Sequence, residues 1–192
     1  RWNASLSIFS FIGSIRTTPY LLFMIFHNNF DHSICDNSWQ VGPINLWIQL
    51  FVLSKIPELF DTFFIIARKK PLIFLHWYHH VTVLLYCWYS YSILATQSLY
   101  FISMNYTVHS VMYAYYCLMS LKIKPKWISP FFITMMQITQ MIIGMIIQLY
   151  SAYKYITDKS CHVNGYNIFW GLLMYQSYFL LFFYFALRRY IK

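Results

Sequence analysis

The sequence predicts an all-α integral membrane protein. Of its 192 residues, 59% are hydrophobic and only 10% are charged, whereas soluble domains carry about 25% charged residues. A membrane-spanning helix needs about 20 mostly apolar residues, and six such stretches follow one another along the chain. We place the predicted spans at residues 4–27, 44–67, 72–94, 98–119, 127–150 and 166–187. Because little chain remains between them, residues 1–192 are treated as a single transmembrane domain.

The basic residues predict how the spans are oriented, since lysine and arginine concentrate on the cytoplasmic side of a membrane. Ten of the 14 fall at the same side of the alternating spans: Arg1, Arg68, Lys69, Lys70, Lys122, Lys124, Lys126, Arg188, Arg189 and Lys192. Both ends of this chain are therefore predicted to be cytoplasmic. The net charge of +9 is mainly this orientation signal, and secondarily favours anionic substrates or lipid headgroups. No nucleic-acid partner is expected.

The four cysteines fall into two groups. Cys35 and Cys161 lie in loops predicted on the non-cytoplasmic side. If that side is the oxidising lumen of the endoplasmic reticulum, they can form a disulfide; two free loop thiols are the alternative. Cys87 and Cys117 lie within spans and are interpreted as small core residues.

Four charged residues lie inside the predicted spans, where an unpaired charge costs several kcal/mol. Arg16 is in the first span, and Lys55, Glu58 and Asp61 follow at steps of three in the second. This spacing spreads the last three over about 120° of one helix face, so they are predicted to point into the bundle together, near the kink expected at Pro57. The four are interpreted as an ion-pair lattice, which is either purely structural or also supports an active site.

A dense histidine cluster opens the third span in the stretch "FLHWYHH". His76, His79 and His80 occupy positions i, i+3 and i+4, which lie within about 100° of one another on a helix. In the fourth span, "NYTVHSVMYAYY" places Asn105 and His109 on one face by the same spacing. Four histidines from two helices are therefore predicted to converge on one interior site.

Further polar residues lie at a similar depth. The fifth span contributes Gln137 and Gln140 from "TMMQITQ", and the fourth adds Tyr113 and Tyr116. Unsatisfied polar groups are costly in hydrocarbon, so this layer is predicted to face inward. The economical interpretation is a buried polar chamber that opens toward the cytoplasm.

Several functions are compatible with a buried chamber of this composition. Histidine is a nucleophile and acid–base group suited to acyl transfer or carbanion chemistry, and four histidines also fit one zinc ion. A diiron lipid hydroxylase or desaturase needs more histidines than remain, because His27, His32 and His162 lie at or beyond the span ends. A proton-coupled transporter also places charges and histidines within its spans, and a structural hydrogen-bond network is the simplest alternative.

Four motifs in order resemble the ELO-type fatty acid elongases. "KIPELFDT" is similar to the family's K-x-x-E-x-x-D-T box, "HWYHH" to its H-x-x-H-H box, "NYTVHSVMYAYY" to its N-x-x-V-H-x-x-M-Y-x-Y-Y box and "TMMQITQ" to its T-x-x-Q-x-x-Q box. Together they cover roughly residues 54–140. The histidine box and its flanks are most similar to the subgroup that acts on saturated and monounsaturated chains of medium to long length.

This resemblance implies a membrane enzyme of the endoplasmic reticulum. It would join an acyl-CoA to malonyl-CoA, release CO₂ and CoA, and form a 3-oxoacyl-CoA two carbons longer, with no cofactor beyond these substrates and no metal. The family fold has seven helices, six of which form a barrel around an acyl tunnel, and this chain is expected to lack the first. The implied partners are the bilayer, the reductase and dehydratase of the elongation cycle, and a second copy in a homodimer.

The resemblance also implies roles for individual residues. His79, the middle histidine of the box, would carry the acyl group as an acyl-imidazole, His109 would assist the condensation and Asn105 would hydrogen-bond developing negative charge. The remaining expected members of the site support or orient these groups: His76, His80, Lys55, Glu58, Asp61, Arg16, Gln137, Gln140, Tyr113 and Tyr116. The expected CoA-binding residues are Arg68, Lys69, Lys70, Lys122, Lys124 and Lys126, although positive-inside topology alone also accounts for these six.

Overall fold

The computed structural model describes residues 2–125 and 128–191, and this part of the chain contains helices and no strands. The helices are α1 (Trp2–Asn28), α2 (Phe30–Cys35), α3 (Pro43–Ala67), α4 (Phe74–Ser92), α5 (Ser98–Ser120), α6 (Pro130–Thr157) and α7 (Gly165–Tyr190), with a 3-10 turn at Ser38–Gln40. The predicted all-α class is confirmed. Arg1, Lys126 and Lys192, which entered the orientation and CoA-binding predictions, lie outside the described residues.

The six long helices correspond in order to the six predicted spans. Their bounds agree within about three residues except at the end of α6, which continues to Thr157 rather than stopping near residue 150. Hydropathy marks where an apolar stretch ends, whereas a helix continues while its backbone hydrogen bonds persist. The last turns of α6 carry Tyr153 and Lys154, so the helix extends beyond the end of its apolar stretch.

The long helices form a closed ring. Helix α1 packs along α5, α5 on α6, α6 on α7, α7 on α4, α4 on α3, and α3 on α1. The loop at residues 68–73 and the loop residues 121–125 and 128–129 lie at one end, which we call the basic end. The loops at 29–42, 93–97 and 158–164 lie at the other, which we call the disulfide end. A ring of this order encloses an interior that all six helices line.

Two glycines permit the closest helix pairs in the ring. A Cβ atom on Gly13 would lie 2.5 Å from the Tyr106 ring, and one on Gly144 would lie 2.5 Å from the Tyr175 ring. These distances are well below van der Waals contact, so only glycine allows each tyrosine to lie directly against the facing helix. Gly13 thereby joins α1 to α5, and Gly144 joins α6 to α7.

The outer surface of the ring suits a lipid environment. Helices α1, α6 and α7 are each long and apolar enough to cross a membrane, while α3, α4 and α5 carry the polar residues that face inward. Large apolar side chains such as Leu53, Leu85 and Leu180 are exposed on the outside. The chain therefore has the surface of a multi-pass membrane protein.

Covalent and polar contacts close the disulfide end. Cys35 and Cys161 form a disulfide with their Cα atoms 4.6 Å apart, which joins the last residue of α2 to the loop before α7. The fully buried Trp39 donates its indole N–H to the carbonyl of Thr96 at 3.0 Å. On the outer surface, a hydrogen bond from Lys154 holds the pKa of Asp31 below its ordinary value. These contacts join three parts of the chain that are far apart in the sequence: residues 31–39, Thr96 and residues 154–161.

Candidate active site

Two cavities occupy the interior of the ring. The outer chamber has a volume of about 580 Å³ and extends toward the basic end, where Arg68, Ile73 and Ser120 line it. The inner pocket is narrower and runs toward the disulfide end, where Ile48 and Ser98 line it. The ring thus encloses a polar space and an apolar space along one axis.

Four residues line both cavities and therefore mark the junction between them: His79 on α4, Asn105 on α5, and Gln140 and Met141 on α6. Three of these were predicted as site residues from helical spacing and the motif match. Their position at the boundary means that a ligand extending from one cavity into the other must pass beside them.

The four predicted histidines are brought together at the outer chamber. The rings of His76 and His80 lie 4.4 Å apart, and those of His79 and His80 lie 5.5 Å apart. His109 of α5 lines the same chamber. The i, i+3, i+4 spacing therefore places the three histidines of α4 on one face of the helix, as helix geometry predicts. The order of helices in the ring places α5 opposite α4.

Helix α7 positions the turn of α4 that carries His79. The Tyr178 ring lies 4.8 Å from the imidazole of His79, and its hydroxyl donates to the His79 carbonyl at 3.3 Å and lies 2.6 Å from the Thr82 hydroxyl. Sequence reasoning missed Tyr178, because it is one of 18 tyrosines and belongs to none of the four motifs. In residues 2–125 and 128–191, no side chain hydrogen-bonds a ring nitrogen of His79.

A buried ion pair on α3 begins a chain of hydrogen bonds to His109. The ammonium of Lys55 lies 2.7 Å from Glu58 Oε1 and 3.3 Å from Asn105 Oδ1. The amide nitrogen of Asn105 lies 3.3 Å from Nε2 of His109. Lys55 and Glu58 are only 2% and 4% exposed. A buried ion pair of this kind is tolerated because each charge is paired and hydrogen-bonded.

The second carboxylate, Asp61, has partners on two other helices. It accepts from the Trp2 indole N–H at 2.6 Å and from the Tyr113 hydroxyl at 2.8 Å. Asp61 therefore joins the start of α1 and the middle of α5 to α3 at the wall of the outer chamber. The partnership with Trp2 was missed, because nothing in the sequence reports which residue of α1 faces the end of α3.

The remaining predicted supporting residues divide between the chamber and the outside. Gln137 and Tyr116 line the outer chamber with the histidines, and Gln137 contacts Met112 Sδ at 3.3 Å. Arg16, in contrast, is exposed on the outer face of α1, so it does not join the buried charges as expected. Gly13 and Thr17 take the inward-facing positions on that turn, which leaves Arg16 directed outward.

Five of the six basic residues expected to bind CoA lie at the basic end, and the sixth, Lys126, is outside the described residues. Arg68 lines the outer chamber itself. Lys69, Lys70, Lys122 and Lys124 are exposed in the two loops of the basic end. A long polyanion occupying the chamber would leave it past these side chains.

The inner pocket differs in composition. Its lining is mostly aromatic and aliphatic, with Phe51, Phe101 and Met174 among its walls, and the thiol of Cys87 also lines it two turns beyond His79. A buried amide cluster lies behind its far end, where Gln97 and the Tyr86 hydroxyl both donate to Asn167 Oδ1 at 2.8 and 3.1 Å. An apolar channel that ends at a satisfied polar cluster has a defined depth.

The histidine cluster does not have the arrangement of a metal site. Across residues 2–125 and 128–191, no group of three or more histidine, cysteine or acidic side chains is arranged so that it could hold a metal ion.

Comparison with known proteins decides the family. The ELO model, described as the GNS1/SUR4 family, matches residues 1–192. The chain belongs to the ELO family. It is 47% identical over 191 residues to very long chain fatty acid elongase 6 of Gallus gallus and 44% identical over 191 residues to that of Homo sapiens, covering 99% of this chain and 72% of each relative.

The relatives extend beyond vertebrates. The elongase 6 of Drosophila melanogaster is 45% identical over 194 residues, covering 99% of this chain and 61% of that protein. No solved structure matches the chain. The family assignment made from the four ordered motifs is thus confirmed, and with it an enzyme of fatty acid elongation.

Proposed function

We propose that this elongase is a 3-oxoacyl-CoA synthase that condenses malonyl-CoA with a medium- to long-chain, saturated or monounsaturated acyl-CoA. One observation carries the proposal: His79 lines both the polar chamber and the apolar pocket. An acyl-CoA has a charged head and an apolar tail joined by a reactive thioester. A nucleophile at the boundary between a polar and an apolar cavity is where that thioester would lie.

The first half-reaction loads the acyl group onto His79. A ring nitrogen attacks the thioester carbonyl carbon, the C–S bond breaks, and the departing CoA thiolate takes the proton lost from the imidazole. The absence of a side-chain hydrogen bond to the ring within the described residues favours this role, because no competing partner occupies its nucleophilic lone pair. The product of this step is an acyl-imidazole with its tail in the inner pocket.

The second half-reaction forms the new carbon–carbon bond. Malonyl-CoA loses CO₂, and the electron pair of the broken bond becomes an enolate that attacks the acyl carbonyl carbon. The bond from carbon to the ring nitrogen then breaks, and the ring is reprotonated from water. The sum is one acyl-CoA, one malonyl-CoA and one proton in, and one 3-oxoacyl-CoA, one CoA and one CO₂ out. No metal or other cofactor is needed.

The depth of the inner pocket supports a medium- to long-chain substrate. Ser90, near its far end, lies eleven residues after His79 on α4, which at about 1.5 Å per residue is roughly 16 Å. An extended hydrocarbon advances about 1.25 Å per carbon for bonds of about 1.5 Å, so the pocket would hold roughly 13 carbons. We therefore propose highest activity on chains of about 12 to 16 carbons, with a decline for longer ones.

The setting of the reaction follows the charge distribution. We propose that the basic end faces the cytoplasm, that the disulfide end faces the lumen of the endoplasmic reticulum, and that the basic loops bind the phosphates of CoA. The 3-oxo product requires reduction and dehydration before another round. A reductase and a dehydratase in the same membrane are therefore the proposed partners.

The experiment that tests this function separates the two half-reactions. The purified protein in detergent is incubated with a long-chain acyl-CoA alone, its intact mass is measured, and the adduct is located by peptide mapping before malonyl-CoA is added. We expect an acyl adduct on His79 that malonyl-CoA discharges as 3-oxoacyl-CoA. If product forms without any adduct, the condensation reaction stands but the acyl-imidazole intermediate is rejected. If no product forms in either order of substrate addition, the proposed function is rejected.

A further inference from the structure

We infer that Lys55, acting through the amide of Asn105, holds His109 as the neutral tautomer protonated on Nδ1. His109 then offers the outer chamber a hydrogen-bond donor and has no free Nε2 base. The inference rests on the proposed function for its catalytic meaning. The tautomer itself follows from the direction of hydrogen bonds between three side chains.

The direction is set at Lys55, because an ammonium group only donates. It lies 3.3 Å from Oδ1 of Asn105, so this oxygen must be the acceptor. The opposite amide orientation would direct an NH₂ group at the ammonium and leave two donors facing each other. The chemistry of Lys55 therefore orients the Asn105 side chain.

The orientation of Asn105 then determines the state of the ring. Its amide nitrogen, which only donates, lies 3.3 Å from Nε2 of His109. Nε2 must accept with its lone pair and cannot carry a proton. In a neutral imidazole exactly one nitrogen is protonated, so the proton of His109 is on Nδ1.

Lys55 is itself held in place. Its ammonium is 2.7 Å from Glu58 Oε1, which also accepts from Ser54 at 3.1 Å, and it lies 3.9 Å above the Phe51 ring. These contacts come from one helix, so the ammonium cannot turn away from Asn105 without losing a buried partner. A second positive charge on His109 would face this fixed cation, which favours the neutral ring.

No carboxylate competes for the ring of His109 in the described structure. Glu58 makes no hydrogen bond to this ring: its Oε1 accepts from Lys55 and Ser54, and its buried Oε2 has no partner among the described residues. Both oxygens of Asp61 are occupied, by Trp2 and Tyr113. The ring of His109 packs edge-on against Tyr113 at 5.3 Å. Asn105 is therefore the group that assigns the proton.

This assignment fits the needs of the second half-reaction. Decarboxylation of a malonyl thioester needs no base, because CO₂ departs with the loss of no proton and leaves charge on the thioester oxygen. Donors that meet this developing charge lower the barrier. His109 supplies Nδ1–H, and Asn105 retains the second of its two amide N–H groups. Lys55 is then a positioning residue, since it acts through Asn105.

The test reads the tautomer directly. Protein labelled with ¹⁵N-histidine is studied by NMR through two-bond couplings of the ring nitrogens, and His109→Gln identifies the His109 signals by their loss. We expect Nδ1 protonated and Nε2 unprotonated in the unsubstituted protein. A protonated Nε2 would overturn the inference, and because this readout needs no turnover it is independent of the proposed function.

A matched pair of variants tests the part played by Lys55. Lys55→Met alone would leave Glu58 buried and unpaired and risks misfolding, so the charge pair is removed together as Lys55→Met with Glu58→Gln. With the amide free to turn, we expect part of the His109 population to shift its proton to Nε2 and kcat to fall roughly 10- to 100-fold. Lys55→Arg, which keeps a cationic donor, should retain the Nδ1–H tautomer. An unchanged tautomer in the double variant would reject the role of Lys55.

Discussion

The outer chamber and the inner pocket are both lined by helices α3 to α7, and α1 adds Trp2 and Asn3 to the chamber, but the two cavities differ in the character of their side chains. At the chamber, several polar side chains have partners on neighbouring helices, as in the contacts of Asp61 with Trp2 and Tyr113 and of Lys55 with Asn105. In the pocket, the same helices supply mostly apolar side chains, such as Phe51 and Phe101. If the proposed function holds, chemistry and substrate length are separable: residues at the boundary would act on the thioester, and residues beyond it would contact the hydrocarbon tail.

The largest expected effect comes from removing His79, the proposed nucleophile at the boundary between the two cavities. His79→Ala should reduce product formation about 10³-fold or more, because no other group would carry the acyl chain. Cys87→Ser, two turns along the same helix, is the matched control and should retain most of the activity. The measurement is the rate of 3-oxoacyl-CoA formation from a long-chain acyl-CoA. A His79→Ala rate close to that of the unsubstituted protein would end the nucleophile role.

The next effect is on substrate choice. Cys87 lies eight residues after His79 on α4, or about 12 Å along the axis, so Cys87→Phe should block the pocket part-way. We expect activity on long acyl chains to fall roughly 10- to 100-fold while short chains of about eight carbons are elongated as before. Rates are compared across a series of chain lengths. Equal loss on short and long chains would indicate damaged folding or a tail that does not enter the pocket.

A smaller effect is expected at the disulfide, whose two cysteines line neither cavity. Replacing Cys35 and Cys161 together by Ser should lower the free energy of unfolding by about 2–4 kcal/mol and leave the chain-length profile unchanged. Thermal unfolding in detergent measures the change, with Cys117→Ser as a control for loss of a cysteine at the opposite end. A changed chain-length profile would show that the disulfide end shapes the pocket.

The smallest expected effect is at the amide cluster behind the pocket. Gln97 is fully buried, donates to Asn167 at 2.8 Å and accepts from Thr96 at 3.3 Å, so Gln97→Leu removes these two hydrogen bonds. We expect a loss of about 1–2 kcal/mol in stability and at most a small increase in the longest chain accepted. Thermal unfolding measures the stability loss, and the same series of acyl-CoA chain lengths measures the longest chain accepted. A gain in stability would contradict the assigned hydrogen bonds.

Local periodicity accounts for much of what the sequence could predict. Spacing at 100° per residue placed His76, His79 and His80 on one face of α4, and the same spacing placed Asn105 and His109 on one face of α5. The six apolar stretches likewise predicted the six long helices. These inferences succeed because each concerns residues on a single helix, where backbone geometry decides which side chains lie together.

Contacts between helices were harder to predict. Some contacts depend on how each helix is rotated against its neighbours. Examples are the contact of Trp2 with Asp61 and that of Tyr178 with His79. The wrong prediction for Arg16 has the same cause. Its position in the chain indicated that it lies within a span, but did not indicate whether its side chain points into the ring or outward. The two cavities, and the residues shared between them, likewise emerge only when six helices close into a ring.

The separation of chemistry from chain length is tested most directly by locating the end of a bound acyl chain. An acyl-CoA of about 14 carbons that carries a photoreactive diazirine on its last carbon is irradiated in the presence of the protein, and the labelled peptides are mapped by mass spectrometry. The account predicts labels on the far wall of the inner pocket, at residues such as Ser90, Ser98 and Phe101. Labels confined to the outer chamber, or to lipid-facing residues such as Leu85, would contradict it.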